Sequence, residues 1–273
     1  MKTSNLYLYL RRYQLYQMKK SIFSIVLSII VLASHAETET ADSVFYCKND
    51  DTRQTHLFTC KQIILPVTLM GVGALRFKIE GMRRLDNSVR YEMQRSAKKQ
   101  YHIDDYTQYS SMVAVYVLNA CGMKGRHNFF DRTCILATSC LITGVSVYTI
   151  KHTSRLERPA STTRDAFPSG HTATAFMGAE FLRQEYKDVS PMIGIAGYTV
   201  AGFTGVMRIY NDEHWLSDVI AGAGFGILST RIAYWAYPAI QKTFFKNKVT
   251  QNSFAVPYYN GDNAGISLFM TFN

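Results

Sequence analysis

The sequence predicts an all-α protein, a bundle of six helices followed by a small C-terminal β-hairpin or tail. Three observations lead there. Six apolar segments of helical length follow one another, separated by short breaks that are polar or bear proline or glycine. After about Phe244 the composition changes, and Ser253 to Asn273 alternates loosely in the manner of short strands. The chain has 273 residues, 47% hydrophobic and 18% charged, which suits one sizeable domain rather than two.

Residues 1–36 hold five basic residues (Lys2, Arg11, Arg12, Lys19 and Lys20) and no acid. Met18-Lys19-Lys20 is followed by the apolar run Ser21 to Ala33 and then by Ser34-His35-Ala36, the order of a secretory signal peptide cut after Ala36. Met18 is an alternative start, and an uncleaved membrane anchor is the alternative reading of the same run. Loss of those five charges takes the formal net charge from +10 to +5. The expected organisation is a signal at 1–36, a polar segment at 37–61, the helical domain at 62–243 and a tail at 244–273.

Export bears on the cysteines. Cys47 and Cys60 flank the polar stretch Lys48 to Thr59, which lacks helical periodicity, and a disulfide closing that loop suits an oxidising compartment. Cys121, Cys134 and Cys140 lie in apolar segments and read as small buried residues. No Cys/His pair has zinc spacing, so no metal is expected. No nucleic-acid partner is expected either.

The six helices are expected at roughly 62–79, 108–122, 132–152, 170–187, 191–208 and 214–238. Between the first two, Met82, Leu85, Val89, Met93 and Ala97 form one stripe, with Arg83, Arg84, Arg90, Arg95, Lys98 and Lys99 around it. That pattern fits an amphipathic helix on an anionic membrane surface, and equally a surface helix packed on the bundle. Gly122 to Arg132 is a polar connector bearing His127, read as a loop with capping side chains. Ala221 to Gly226 looks like a weak dinucleotide fingerprint, but no strand precedes it; Gly222 and Gly226, four apart, fit close helix–helix contact. Asn260-Gly261 reads as the turn between strands at Phe254–Tyr259 and Gly265–Phe272.

The chemistry concentrates between Lys151 and Asp218, in three polar clusters: Lys151 to Pro159, Pro168-Ser169-Gly170-His171, and Arg208 to Asp218. They supply three fixed cations, two imidazoles, a carboxylate and a Ser-Gly turn at a helix start. That is the inventory for gripping and cleaving a phosphate ester. An arginine fork matches phosphate oxygens and lysine adds a point charge. The turn aims free N–H groups and the positive end of a helix dipole at an anion. His214 and Asp218 are four apart, so on one helical face Asp218 can hold one ring nitrogen and leave the other to attack phosphorus. His171 remains to protonate the leaving oxygen. Alternate ends of an up-and-down bundle would bring all three clusters to one face.

The spacing Lys-x6-Arg-Pro, then Pro-Ser-Gly-His, then Arg-x5-His-x3-Asp resembles the signature of the type 2 phosphatidic acid phosphatase and vanadium haloperoxidase superfamily. The resemblance implies an all-helical fold and metal-free phosphatase chemistry through a phosphohistidine. By matching position, Lys151, Arg158 and Arg208 would hold the phosphate with Ser169 and Gly170. His171 would be the acid, His214 the nucleophile and Asp218 its partner, with no cofactor. Met207 departs from the pattern, because that family usually has serine before the third-motif arginine.

Membrane placement is less direct. A spanning helix needs about 20 apolar residues, and here Glu180, Arg183 and Arg231 interrupt segments of a chain whose mean hydropathy is −0.07. With the signal cleaved, three full crossings would put Lys151 in the cytoplasm, so one segment does not cross or the bundle lies largely outside lipid. The expectation is an inner-membrane-associated enzyme of a Gram-negative envelope, its site facing the periplasm. Its partners would be a phosphorylated lipid substrate (phosphatidate, polyprenyl diphosphate or lipid A) and an anionic membrane surface. The alternatives are a soluble nonspecific acid phosphatase, a vanadium haloperoxidase or an inactive binding protein.

Overall fold

The structure is a computed structural model that describes residues 60–96, 99–244, 253–259 and 264–270. The expected signal peptide, Cys47 with its disulfide to Cys60, and the turn Asn260-Gly261 lie outside the described residues. Seven α-helices follow in order: α1 (Cys60–Ala74), α2 (Glu80–Ser96), α3 (Asp104–Ala120), α4 (Phe129–Ser154), α5 (Gly170–Tyr186), α6 (Pro191–Tyr210) and α7 (Leu216–Phe244). The described residues are thus mostly helical, and the helix beyond the six expected is α2, the basic amphipathic segment.

Helix α5 is the centre. It packs on α3, α4 and α6, and 13 of its 17 residues are buried, so it has no face left for solvent. Its small residues make this feasible: Ala173, Ala175, Gly178 and Ala179 let neighbouring backbones approach closely. Gly178 sits against Met112 of α3, where an added Cβ would lie 2.9 Å from its Cγ. On α7, Gly222 faces the Ser169 carbonyl (2.6 Å from an added Cβ), Gly226 faces the Ala173 carbonyl, and Gly224 faces α1 at Pro66. The apolar core between these helices gathers Leu69, Ala175, Ala179, Tyr198, Ala201, Ala223 and Ile227.

Local signals set the helix ends that matter for the site. Asn128 caps α4, accepting from the Asp131 N–H at 2.8 Å. Ser169 caps α5 and Pro191 occupies the first turn of α6. The connector bearing His127 is pinned at the far end of α5. Its Nδ1 lies 2.7 Å from Glu185 Oε1, and Arg132 Nε donates to the other carboxylate oxygen at 3.2 Å. Glu185 is fourteen residues from His171, roughly 21 Å along a helix, so His127 belongs to the end opposite the motifs.

Helix α2 follows α1 at a 94° bend. Its buried face is Met82, Asp86 and Val89 rather than the purely apolar stripe expected, and Leu85 is exposed. The reason is polar docking: Asp86 accepts from the Ser217 N–H (2.9 Å) and hydroxyl (2.8 Å) and pairs with Arg76. Arg90 grips Asp212 with two hydrogen bonds of 2.7 and 2.8 Å. The helix therefore packs on the bundle, with Arg83, Arg84 and Arg95 exposed.

Among the described residues three helices are long and apolar enough to cross a membrane: Phe129–Ser154, Pro191–Tyr210 and Leu216–Thr243, with the bent pair Gln62–Phe77 and Glu80–Arg95 a fourth if it is one span. Leu141, Val145 and Tyr148 stand exposed on α4, and Val113 and Val117 on α3. Apolar surface of this kind suits lipid, and these are the helices of an integral membrane protein. The chain divides into two compact units, the first ending at Ala233. The second, from Tyr234, contains the hairpin β1 (Ser253–Tyr259) and β2 (Ala264–Met270), antiparallel from Ser253↔Met270 to Tyr259↔Ala264.

Candidate active site

The three clusters meet at the ends of α4, α5, α6 and α7. Lys151 lies in the last turn of α4, which closes at Arg155 with a left-handed backbone (φ 47°). That reversal brings the following loop back over the helix end: Lys151 Nζ donates to the Asp165 carbonyl, and Arg158 Nε and Nη2 donate to the Asp165 carboxylate at 2.8 and 2.7 Å. Arg208, in the last turn of α6, donates Nη1 to buried Asp104 at 2.6 Å. Glu213 bridges the two arginines, hydrogen-bonded to Arg158 and 3.5 Å from Arg208 Nη2.

His214 is not on a helix, contrary to the expectation. It precedes α7 in the connection after α6, where Asp212 adopts φ 60°, a conformation that aspartate tolerates better than most residues. Its placement against Asp218 survives, because Asp218 lies in the first turn of α7 and folds back. Asp218 Oδ2 accepts from the Trp215 N–H at 2.9 Å and stands 3.6 Å from His214 Nδ1. That distance allows ion pairing but is too long for a hydrogen bond. His214 Nδ1, Asp218 Oδ1 and Arg208 Nε are buried with no hydrogen-bond partner among the described residues.

The second cluster is tied to the third through backbone. The Ser169 N–H donates to the Asp218 carbonyl at 3.0 Å, and its hydroxyl accepts from the Thr172 hydroxyl at 2.9 Å. Ser169 is fully buried, so what it retains for an anion is its hydroxyl proton. The Gly170 and His171 N–H groups open α5 without intrahelical acceptors. A side chain at 170 would meet Lys151 Cε only at 3.9 Å, so Gly170 lines the space beneath that lysine. His171 Nε2 lies 2.8 Å from Asp105 Oδ1.

Electrostatics separate the two histidines. Burial pushes the His214 pKa well below its ordinary value, helped by Lys151, Arg208 and Arg158, with the Ala166 backbone working weakly the other way. His214 is thus held neutral, the form that can attack. His171 is also lowered, first by burial and then by Arg208, but Asp105 and Asp104 oppose the shift.

Lys151, Gly170 and His171 line a cavity of about 410 Å³ whose walls come from α3, α4 and α5. It is also lined by Met112, Gly144, Val147 and Met177, with the Thr143 hydroxyl buried on its wall and without a hydrogen-bond partner among the described residues. The carboxylates that hold the site's cations (Asp104, Asp165 and Glu213), and Asp105 with them, were not visible from the motifs. An acidic pair opening a helix reads as an ordinary complement to the helix dipole.

Among the described residues one group has the geometry to hold a metal ion: Asp104, Asp105 and His171. Its members already satisfy each other and their neighbours. Asp104 takes Arg208 and Asn211, and Asp105 takes His171. The set does not fit a resident metal.

Residues 132–242 match the sequence profile of the PAP2 superfamily. The lipid A 1-phosphatase of Porphyromonas gingivalis is 37% identical over 154 residues, which are 55% of this chain and 34% of that protein. The chain thus spans about a third of the length of that curated relative. Two solved structures are similar. Aquifex aeolicus LpxE has a TM-score of 0.43 and 20% identity, covering 57% of this chain and 96% of that one. A PAP2 type phosphatidylglycerolphosphate phosphatase from Bacillus subtilis has a TM-score of 0.38 and 18% identity, covering 66% and 98%. The match spans α4 to α7, the helices that bring the three clusters together, so the part of the chain that is similar to the PAP2 superfamily is the part that carries the site.

Proposed function

We propose that this chain is a metal-independent phosphatase that removes phosphate from an envelope lipid through a phosphohistidine intermediate. The observation that supports this best is the cavity: Lys151, Gly170 and His171 line it together with largely apolar walls from α3, α4 and α5. A soluble phosphate ester has no use for such walls, whereas an ester with a hydrocarbon portion can bury it there.

The chemistry follows from the placement. Lys151, Arg158 and Arg208, with Ser169 and the Gly170 N–H, hold the non-bridging oxygens, and the substrate phosphate takes the arginines from Glu213 as it enters. Asp218 draws the Nδ1 proton of His214 towards it, which orients the ring and leaves Nε2 to form the bond to phosphorus. As that bond forms, the bridging P–O bond breaks and His171 gives its proton to the leaving oxygen. Water then attacks the phosphohistidine, His171 recovers a proton from it, the P–N bond breaks and inorganic phosphate leaves. Fixed positive charge aimed at a phosphoryl group is the main source of catalysis here.

The name of the Porphyromonas relative puts the 1-phosphate of lipid A first among the substrates, ahead of phosphatidate and polyprenyl diphosphate. Exposed Arg83, Arg84 and Arg95 on α2, which contacts the His214 loop through Arg90, suit an anionic membrane surface beside the site. A periplasm-facing site in the inner membrane of a Gram-negative cell rests on the export signal read from residues 18–36.

The test is phosphate release from lipid A, phosphatidate, polyprenyl diphosphate and p-nitrophenyl phosphate, with chelator present, for wild type and His214→Ala. Preference for one lipid that the mutant loses is the expected result. Equal activity on the soluble ester would move the assignment to a nonspecific acid phosphatase. Silence on all four would leave a binding role.

A further inference from the structure

The first turn of α3 lies outside all three motifs, yet it reaches two of them. Asp104, fully buried, receives Arg208 Nη1 at 2.6 Å and Asn211 Nδ2 at 2.9 Å, which fixes this end of α3 against the end of α6. The next residue, Asp105, turns to α5 and meets His171 Nε2 at 2.8 Å. Its side chain is 47% exposed, so burial does not force it there. Its other oxygen is 3.9 Å from His102 Nδ1, beyond hydrogen-bond range. Among the described residues His171 is thus the one close partner of an exposed carboxylate that water would otherwise satisfy.

We propose that Asp105 is a positioning residue for the general acid, holding His171 through Nε2 so that Nδ1 is the atom that serves the substrate. This rests on the reading of His171 as the acid. In the first step the Nδ1 proton passes to the leaving oxygen as the P–O bond breaks, and His171 becomes the neutral Nε2–H tautomer, still donating to Asp105. In the second step Nδ1 accepts the proton of the attacking water. One ring nitrogen stays on Asp105 throughout, so the ring need not flip between steps. An imidazole anchored in this way by a carboxylate has a defined tautomer and orientation.

Asp105 also bears on the charge of that ring. The groups facing His171 are Asp104 and Asp105 on α3, Arg208 on α6, and Lys151 on α4, which lines the same cavity. Burial and Arg208 favour the neutral ring, and the two aspartates favour the proton. The acid must start protonated, so activity falls as pH rises through the His171 pKa. Without the Asp105 charge, that alkaline limb moves to lower pH.

The experiment uses the full chain in detergent micelles, comparing wild type, Asp105→Asn, Asp105→Glu, His171→Ala and the Asp105→Asn/His171→Ala pair. The substrates are p-nitrophenyl phosphate, a good leaving group, and a long-chain alkyl phosphate, a poor one. A general acid supplies ~10²–10⁴ in rate, so Asp105→Asn should cost a part of that, about 10–10²-fold in kcat/KM on the alkyl ester. The loss should be smaller on the nitrophenyl ester, with the alkaline limb displaced downward. Asp105→Glu should restore part of the rate, and the pair should lose no more than His171→Ala alone. An unchanged Asp105→Asn, or an equal loss on both esters with an unmoved pH profile, would overturn the role of Asp105 while leaving the phosphatase assignment intact. A wild type silent on both esters and on the lipid panel would overturn that assignment, and the role of Asp105 with it.

Discussion

Glu180 and Asp218 are both carboxylates with no exposed surface, on neighbouring helices of one bundle, and the protein treats them in opposite ways. Glu180 is saturated. It accepts from Arg183 Nε and Nη2, Arg231 Nε, Gln184 Nε2 and the Tyr198 hydroxyl, and Arg231 goes on to the Gln62 carbonyl of α1. Among the described residues Asp218 accepts one backbone N–H on Oδ2 and nothing on Oδ1, while His214 Nδ1 and Arg208 Nε beside it also lack partners. Leaving a buried polar group unsatisfied costs ~1–3 kcal/mol, so the motif end of the bundle carries a stability cost that the Glu180 end avoids. Closed networks of this kind tie helices together. Open ones keep hydrogen-bonding capacity for something that arrives.

Substitutions at the two ends should therefore fail differently. The largest effect on activity should come from His214→Ala, which removes the proposed nucleophile and should lower turnover by ~10⁴-fold or more, with the melting temperature in detergent at or above that of wild type. Near-normal phosphate release from this variant would end the phosphohistidine mechanism. Glu180→Ala should do the reverse. It leaves two arginines buried without their carboxylate and should cost ~3–5 kcal/mol of stability, read by denaturant titration; a fold that tolerates it with little loss would show that water or neighbours replace the carboxylate. Gly226→Ala drives a methyl group into the Ala173 carbonyl on the α5 backbone and should cost ~1–3 kcal/mol as the helices separate. An unshifted melt there would mean that the contact between α5 and α7 is looser than described.

Smaller effects sharpen the electrostatic half of the comparison. On the proposed mechanism His214 attacks as the neutral ring, and burial with three cations holds its pKa below the ordinary value of 6.5. Protonation on acidification is thereby postponed, so the acid limb of kcat/KM should lie below pH 6.5. Lys151→Ala removes one of those cations and should move the limb upward; a limb above 6.5 in wild type would contradict the neutral, cation-flanked nucleophile. Glu213→Gln gives the smallest change. It weakens the carboxylate that bridges Arg158 and Arg208 and competes with phosphate, so KM should fall by about the worth of one charged hydrogen bond, ~1.5–3 kcal/mol. A raised KM would make Glu213 a positioning partner for the arginines instead.

Much of this was legible in the residues. Lys151 with Arg158, Pro168 to His171, and Arg208 with His214 and Asp218 announce themselves because each set is short-range, set by one helix end or one turn. Helical periodicity located six apolar helices and the basic stripe of α2, and the glycines of α7 marked close contact. Less legible was His214, expected within a helix but standing before it, since the capping of Trp215 by Asp218 starts α7 later. The stripe on α2 likewise failed to show Asp86 as its buried centre, because the partner of Asp86 is Ser217.

The sequence by itself determined the helical class and the short motifs whose residue types suit phosphate chemistry, since those depend on periodicity and on spacings of a few positions. Tertiary structure alone decided which carboxylates hold those residues. Asp105 meets His171 across 66 positions, Asp104 meets Arg208 across 104, and Asp86 meets Ser217 across 131. No local propensity encodes a pairing over such separations. It exists only because α5, built from small residues and buried on all sides, draws α3, α4, α6 and α7 close enough for their ends to touch.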